Sequence, residues 1–184
     1  MWYKAGLAFL IIFLIIAIIV TIYYFIYAIR ISLSKSKKAP YISTFDRHLT
    51  IMKNLEIKPN ATMVDLGCWD GKALRFFSKE HKLKLWEWYD INLYAILKGK
   101  RLNRHHHITN INLYKKNLFA ADLKKYDYIY VYLRDSQLAY IEDRVFENKK
   151  KETIIISNSF QFSKHKPYKT YKNNKWFETI FLYK

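Results

Sequence analysis

Apolar positions follow two regimes along this chain. Residues 5–29 are leucine, isoleucine, phenylalanine, valine, alanine and tyrosine with almost no interruption and no charge. About 20 such residues cross the hydrocarbon core as a helix, so this run predicts a membrane-spanning helix with some tilt. The rival reading is a signal peptide, whose apolar stretch is only about 7–15 residues and ends at a small-residue cleavage site; neither feature is present. Trp2 and Tyr3 at one end, and Tyr23, Tyr24 and Tyr27 at the other, stand where interfacial aromatic belts form.

Beyond the linker the apolar residues come in short blocks. Residues 62–64, 83–89, 108–114, 126–133, 153–157 and 176–183 are rich in β-branched and aromatic side chains and read as strands, the last antiparallel at the sheet edge. Between them, Ala73, Leu74, Phe76 and Phe77, then Ile91, Ala95, Ile96 and Leu97 (to about Leu102), then residues 138–146 carry helical spacing. A further helix is expected over 41–54, with Ser43 or Thr44 as N-cap and Phe45, Leu49, Met52 and Leu55 on one face. Residues 103–110 read as a polar loop. The alternation predicts an α/β fold, an open and mostly parallel sheet with its ligand at the carboxyl ends of the strands. The expected organisation is a transmembrane anchor at 1–30, a basic linker at 31–39 and the α/β domain at 40–184.

Charge sets the orientation. Arg30, Lys35, Lys37 and Lys38 follow the apolar run, against Lys4 alone before it, so the positive-inside rule puts the C-terminal domain in the cytoplasm. Each linker lysine near an anionic leaflet gains about 1 kcal/mol from the headgroups. The net charge of +17 favours anionic partners in general. It accompanies a richness in lysine, tyrosine, asparagine and isoleucine that fits AT-rich coding, and so does not by itself select nucleic acid. The single cysteine, Cys68, cannot form an internal disulfide. His105, His106 and His107 are consecutive and have no cysteine or carboxylate cluster beside them, which favours a solvated loop or a headgroup contact over a metal site.

Candidate chemistry centres on residues 63–72, Met-Val-Asp-Leu-Gly-Cys-Trp-Asp-Gly-Lys. An apolar strand end runs through Asp65 into a tight loop holding Gly67 and Gly71, two of the four glycines in the chain, and then into a helix. This is the unit in which a nucleotide-like ligand meets backbone amides at a helix N-terminus. Such a loop requires an acidic residue at the tip of the next strand, about 20 residues on, to hold ribose hydroxyls. Asp90 stands there, 19 positions after Gly71.

Asp-Leu-Gly-Cys-x-Asp-Gly with an acidic strand tip resembles the cofactor site of class I S-adenosylmethionine-dependent methyltransferases, whose domain is Rossmann-like. Pro40-Tyr41-Ile42-Ser43-Thr44, Tyr89-Asp90-Ile91-Asn92, Val131-Tyr132-Leu133, and residues 155–160 with Lys166-Pro167 are similar to the membrane-anchored protein-lysine methyltransferases that modify ATP synthase subunit c or the adenine nucleotide translocase. The resemblance implies S-adenosyl-L-methionine as cofactor. It implies that Asp65, Gly67, Cys68 and Gly71 line the methionine end, Asp90 holds the ribose and Asn117 meets the adenine amine. Tyr41 and Thr44 would close over the cofactor carboxylate, and Tyr132 and Asp135 would orient the acceptor amine. It also implies a membrane-protein lysine as acceptor. One position departs from the pattern: Trp69 stands where the family usually has glycine, and an indole there either crowds the cofactor or swings away. Two other readings remain: a cofactor-blind scaffold, favoured by Trp69, and a nucleic-acid methyltransferase. The latter is disfavoured because Leu133-Arg134-Asp135-Ser136 carries no base-flipping motif of the Asn/Asp-Pro-Pro-Tyr type.

Overall fold

A computed structural model of the chain describes residues 2–33, 44–67, 69–173 and 178–184. Tyr41, Cys68, Trp176 and the linker lysines Lys35, Lys37 and Lys38 lie outside the described residues. The chain divides into two compact units, Met1–Lys38 and Ala39–Lys184.

The first unit is one helix, α1 (Trp2–Leu33). Its stretch Phe9–Tyr27 has a mean hydropathy of 3.0 and is long and apolar enough to cross a membrane. Apolar side chains surround it on all sides, which fits a hydrocarbon environment and not a two-faced surface helix.

In the second unit the elements run α2 (Asp46–Met52), β1 (Thr62–Leu66), α3 (Lys72–Glu80), β2 (Leu85–Asp90), α4 (Leu93–His105), β3 (Ile111–Lys115), β4 (Tyr128–Val131), α5 (Asp135–Asn148), β5 (Ile154–Asn158), β6 (Lys169–Asn173) and β7 (Glu178–Tyr183). The seven strands are ordered β3-β2-β1-β4-β5-β7-β6. β1 to β5 are mutually parallel, while β7 is antiparallel to both β5 and β6. Strand pleating sends alternate residues to two cores. Met63, Trp86, Trp88, Tyr128, Tyr130 and Ile156 pack under α2, α3 and α4. Val64, Leu66, Ile129, Val131 and Ile155 pack under α5 and the short 3-10 turns Leu118–Ala120 and Leu123–Lys125.

The structure corrects four sequence expectations. Helix α2 starts at Asp46 with Phe45 as N-cap, a residue whose side chain has no acceptor to cap the helix, while the Thr44 hydroxyl bonds Tyr130. Helix α4 continues to His105 through the expected polar loop, turning Asn103 inward and leaving Arg104 and His105 in its last turn, where cations complement the helix dipole. The edge strand is β6, not β7: Lys-Thr-Tyr-Lys-Asn is too polar to stand out as a strand, and edge lysines of this kind discourage further pairing. The sheet-lining strand ends are also shorter than the apolar blocks, with β3 beginning at Ile111 and β4 spanning four residues.

A fully buried Trp88 sets the helix spacing on the first face. A Cβ on Gly71 would lie 2.6 Å from its ring, and one on Gly99 would lie 2.3 Å from it. Gly71 also holds a φ of +72° as the N-cap of α3, so two independent constraints select glycine there.

On the second face no helix follows β5, and residues 159–168 are held down by Glu142 of α5. That fully buried carboxylate accepts the Ser163 N–H (3.1 Å), the Ser163 hydroxyl (2.7 Å) and the Lys164 N–H (2.7 Å), and meets His165 Nδ1 at 3.0 Å. Although burial opposes ionisation, these partners bring its pKa from an ordinary 4.5 down to about 2. Protons therefore bind the unfolded chain more tightly. The stability from Glu142 is complete above pH 4.5 and is lost as pH falls toward 2. Glu142→Gln is expected to flatten this acid limb, as read from denaturant midpoints across that range.

Candidate functional site

The carboxyl rim of the sheet carries the site, at the point where strand order reverses between β1 and β4. Leaving β1, the loop uses three left-handed residues: Gly67 at φ +87°, Trp69 at +55° and Gly71 at +72°. The Gly67 N–H donates to the Tyr89 carbonyl at 3.2 Å. A Cβ on Gly67 would stand 3.1 Å from Leu133, which follows β4. Asp70 ties the loop to its helices, accepting Lys98 Nζ at 2.9 Å while Arg75 donates to its backbone carbonyl.

Asp90 ends β2 facing this loop. Its carboxylate accepts the Trp69 N–H at 3.1 Å and the Asn92 N–H at 2.7 Å. Burial raises its pKa above the ordinary 3.8, and the backbone donors Asn92, Trp69 and Ile91 partly offset that rise. Asn92 caps α4 with its side chain. The Trp69 indole is half-buried and leans toward Tyr94 of α4, with ring centroids 6.2 Å apart. Trp69 itself holds a left-handed backbone, and its ring packs toward α4.

Asp65 is fully buried on β1, paired in register with Tyr130 of β4. The Tyr130 hydroxyl accepts Asn158 Nδ2 at 2.9 Å and bonds the Thr44 hydroxyl. Burial, reinforced by the Asp65 carboxylate, pushes this phenol well above its usual range. Thr44, Asp65, Tyr130 and Asn158 therefore form one buried polar group beneath the rim. Gly67, Gly71 and Asp90 stand beside it. Asn117 sits exposed just past β3, where its Oδ1 accepts the Phe119 N–H at 3.0 Å and caps the following 3-10 turn. An amide oxygen keeps a second lone pair for another donor.

Of the two residues expected at the acceptor, only Tyr132 enters the cluster. Its ring meets His48 edge-on, with centroids 5.3 Å apart, and its hydroxyl bonds Ser159. Asp135 stands exposed in the first turn of α5 and shares no hydrogen bond with Tyr132, so its charge complements the helix N-terminus.

Sequence reasoning missed His48, Ser159, Glu178 and Arg47. His48 is buried, with Nε2 3.4 Å from Ser159 Oγ and 3.7 Å from Glu178, and Arg47 pairs with the same Glu178 carboxylate. These residues come from α2, from just past β5 and from the start of β7, so no sequence spacing links them. Ser159 holds a φ of +67°. Among the described residues four non-glycines have positive φ, and two of them, Trp69 and Ser159, lie on this rim. Strain concentrated in this way marks a constrained site.

Burial, and then Arg47, lowers the His48 pKa from 6.5 to about 4. His48 is therefore neutral at physiological pH. Its contribution to stability is full above 6.5 and is lost as pH falls toward 4. His48→Gln is expected to remove that loss, and an NMR titration of the ring should find its midpoint near 4.

The chain matches no family model and none of the curated proteins compared with it. Solved structures do resemble it. The RNA methyltransferase of Salinibacter ruber, in complex with S-adenosyl-L-homocysteine, superposes with a TM-score of 0.69 at 16% identity, over 78% of this chain and 92% of that one. The ribosomal protein L11 methylase of Lactobacillus delbrueckii subsp. bulgaricus gives 0.58 at 16% identity, over 73% and 74%. The B. subtilis tRNA methyltransferase TrmK gives 0.57 at 12%, over 77% and 66%. At such identities the likeness shows the fold alone: the domain is α/β, with a mostly parallel, Rossmann-like sheet like that of these structures.

Proposed function

We propose that this chain is a membrane-anchored methyltransferase that uses S-adenosyl-L-methionine and modifies an amine, a lysine of a membrane protein. The observation that carries the reading is the Asp90 carboxylate, bonded to the left-handed Gly67–Gly71 turn at the switch point of the sheet. The residues present fit the cofactor. Gly67 holds a φ of +87° that favours glycine, the Trp69 ring leans toward α4, and Asp90 retains lone pairs for ribose hydroxyls. Asp65, Gly67, Gly71 and Thr44 would hold the amino-acid end, with Tyr41 and Cys68 completing it, and Asn117 would meet the base.

When bound, the cofactor supplies an electrophilic methyl group. The work of the protein is to align a nucleophile with it. Tyr132 keeps its proton, because burial raises its pKa, and its oxygen would accept an N–H from the incoming amine. Neutral His48 and Ser159 fix the direction of that phenol. Glu178 balances the Arg47 charge, so it is the partial burial of the cluster that would disfavour an ammonium and favour the free amine that attacks. Helix α1 would hold the domain beside substrates in the same membrane, raising their effective concentration.

Calorimetric titration of S-adenosylhomocysteine into the full chain in detergent tests the reading, and absence of binding at millimolar ligand rejects it. A second reading, methylation of nucleic acid, draws on the net charge of +17 and on the RNA and tRNA substrates of the structural neighbours. Steeply salt-dependent RNA binding would favour it.

A further inference from the structure

Helix α4 presents an outward face that, apart from the Trp69 ring beside Tyr94, the described residues leave exposed. Leu93 is 49% exposed, Tyr94 65% and Leu97 56%, and Ile91 just before the helix is 50% exposed. Ala95, Ile96, Gly99 and Asn103 form the opposite, buried face, so the helix is amphipathic in an inverted sense at its first two turns. Further along the same outer face the residues become cationic: Lys100, Arg101 and Arg104 are all exposed. From residue 91 to 121 the chain carries six lysines and arginines and no aspartate or glutamate.

A shallow groove of about 640 Å³ runs between the end of α4 and the edge strand β3, lined by Lys100, Asn103, Arg104, Asn112 and Tyr114 among others. Asn103 is buried within it, and both polar atoms of its amide lack a hydrogen-bond partner. Lys100 and Arg104, two cations lining one groove, suit a phosphate.

We propose that the outer face of α4 docks on an anionic bilayer surface, with Leu93, Tyr94 and Leu97 entering the headgroup layer and Lys100 and Arg104 meeting lipid phosphate in the groove. The inference rests on the membrane-anchored reading. Adjacent exposed aliphatic, aromatic and cationic residues are the signature of an interfacial helix, and exposed aliphatic groups select a bilayer over RNA, which offers only stacking bases and phosphates to this face. The first turn of α4 stands beside Trp69 and the tip of β2. Docking therefore brings the mouth of the candidate site to the membrane surface, where an acceptor side chain just outside the bilayer can reach it.

The test uses the full chain reconstituted in phosphatidylcholine vesicles with and without phosphatidylglycerol. A photoreactive benzoylphenylalanine is placed in turn at Phe13, Leu97 and Tyr140. Lipid adducts are expected at 13 in both vesicles, at 97 chiefly in the anionic ones, and not at 140, which is exposed on α5. Lys100→Gln with Arg104→Gln should cut the adducts at 97 by about fivefold or more. Adducts at 13 without any at 97, or equal adducts at 97 and 140, overturn docking and leave the anchor intact. Absence of adducts at 13 removes the anchor and docking together. If added RNA crosslinks to 97 and displaces lipid, the face belongs to nucleic acid.

Discussion

Gly99→Val is expected to cost the domain about 4 kcal/mol, and Gly99→Ala about 2 kcal/mol. Helix propensity alone predicts the opposite sign, because alanine is favoured over glycine in a helix interior by about 1 kcal/mol. The close approach decides the balance. A Cβ at 99 would lie 2.3 and 2.5 Å from two carbons of the Trp88 ring and 2.8 Å from Leu113 Cδ2. Trp88 is fully buried between β2 and the helices, with Gly71 pressing on the same ring, so the indole has nowhere to move. Urea midpoints of the two variants measure the effect. Trp88→Leu opens a cavity and is destabilising alone, but in combination with Gly99→Ala it should recover a coupling energy of about 1 kcal/mol or more. A Gly99→Ala chain more stable than the parent would show that the helix stands further from the sheet than the structure places it.

The same tryptophan illustrates what the sequence makes legible. Residues 62–64 and 83–89 are apolar enough to be read as strands flanking a glycine turn, and Asp90 follows from spacing alone. Those features are local: each depends on residues within about 20 positions of one another. The pressure of Trp88 on Gly99 is not local, and in sequence Gly99 looks like a tolerated helix glycine. The cluster around His48 is harder still. His48 and Ser159 are separated by 111 positions and Glu178 lies on a further strand, so only the folded sheet brings them together. Asp135 stands apart from that cluster for a related reason. It follows β4 at the right interval, but the capping geometry of α5 points the first turn into solvent. Edge strand β6 went unseen because solvated edges are built from lysine, threonine and asparagine, residues that also make loops.

Asp90→Ala is expected to weaken binding of S-adenosylhomocysteine by about 100-fold or more, since hydrogen bonds to a charged acceptor contribute about 1.5–3 kcal/mol each and ribose offers two hydroxyls. Part of any loss would come from the loop itself, because the Trp69 and Asn92 amides also rely on this carboxylate. Asp90→Asn keeps the shape but only one acceptor oxygen, so one of the two loop amides loses its partner together with part of the ribose contact, and the affinity should still fall by roughly tenfold. The pH dependence supplies an independent readout. Burial holds the Asp90 pKa above 3.8, so ligand affinity in the parent should decline on acidification from a higher pH than an ordinary aspartate would impose, and Asp90→Asn should abolish the decline. Ligand in turn favours the carboxylate and draws its pKa down, so binding in the acid range should take up fewer protons than it releases, a sign that calorimetry in buffers of different ionisation enthalpy reads directly. Affinity within threefold of the parent in Asp90→Ala would mean that the carboxylate serves only to brace the turn, and the nucleoside reading of this rim would fail with it.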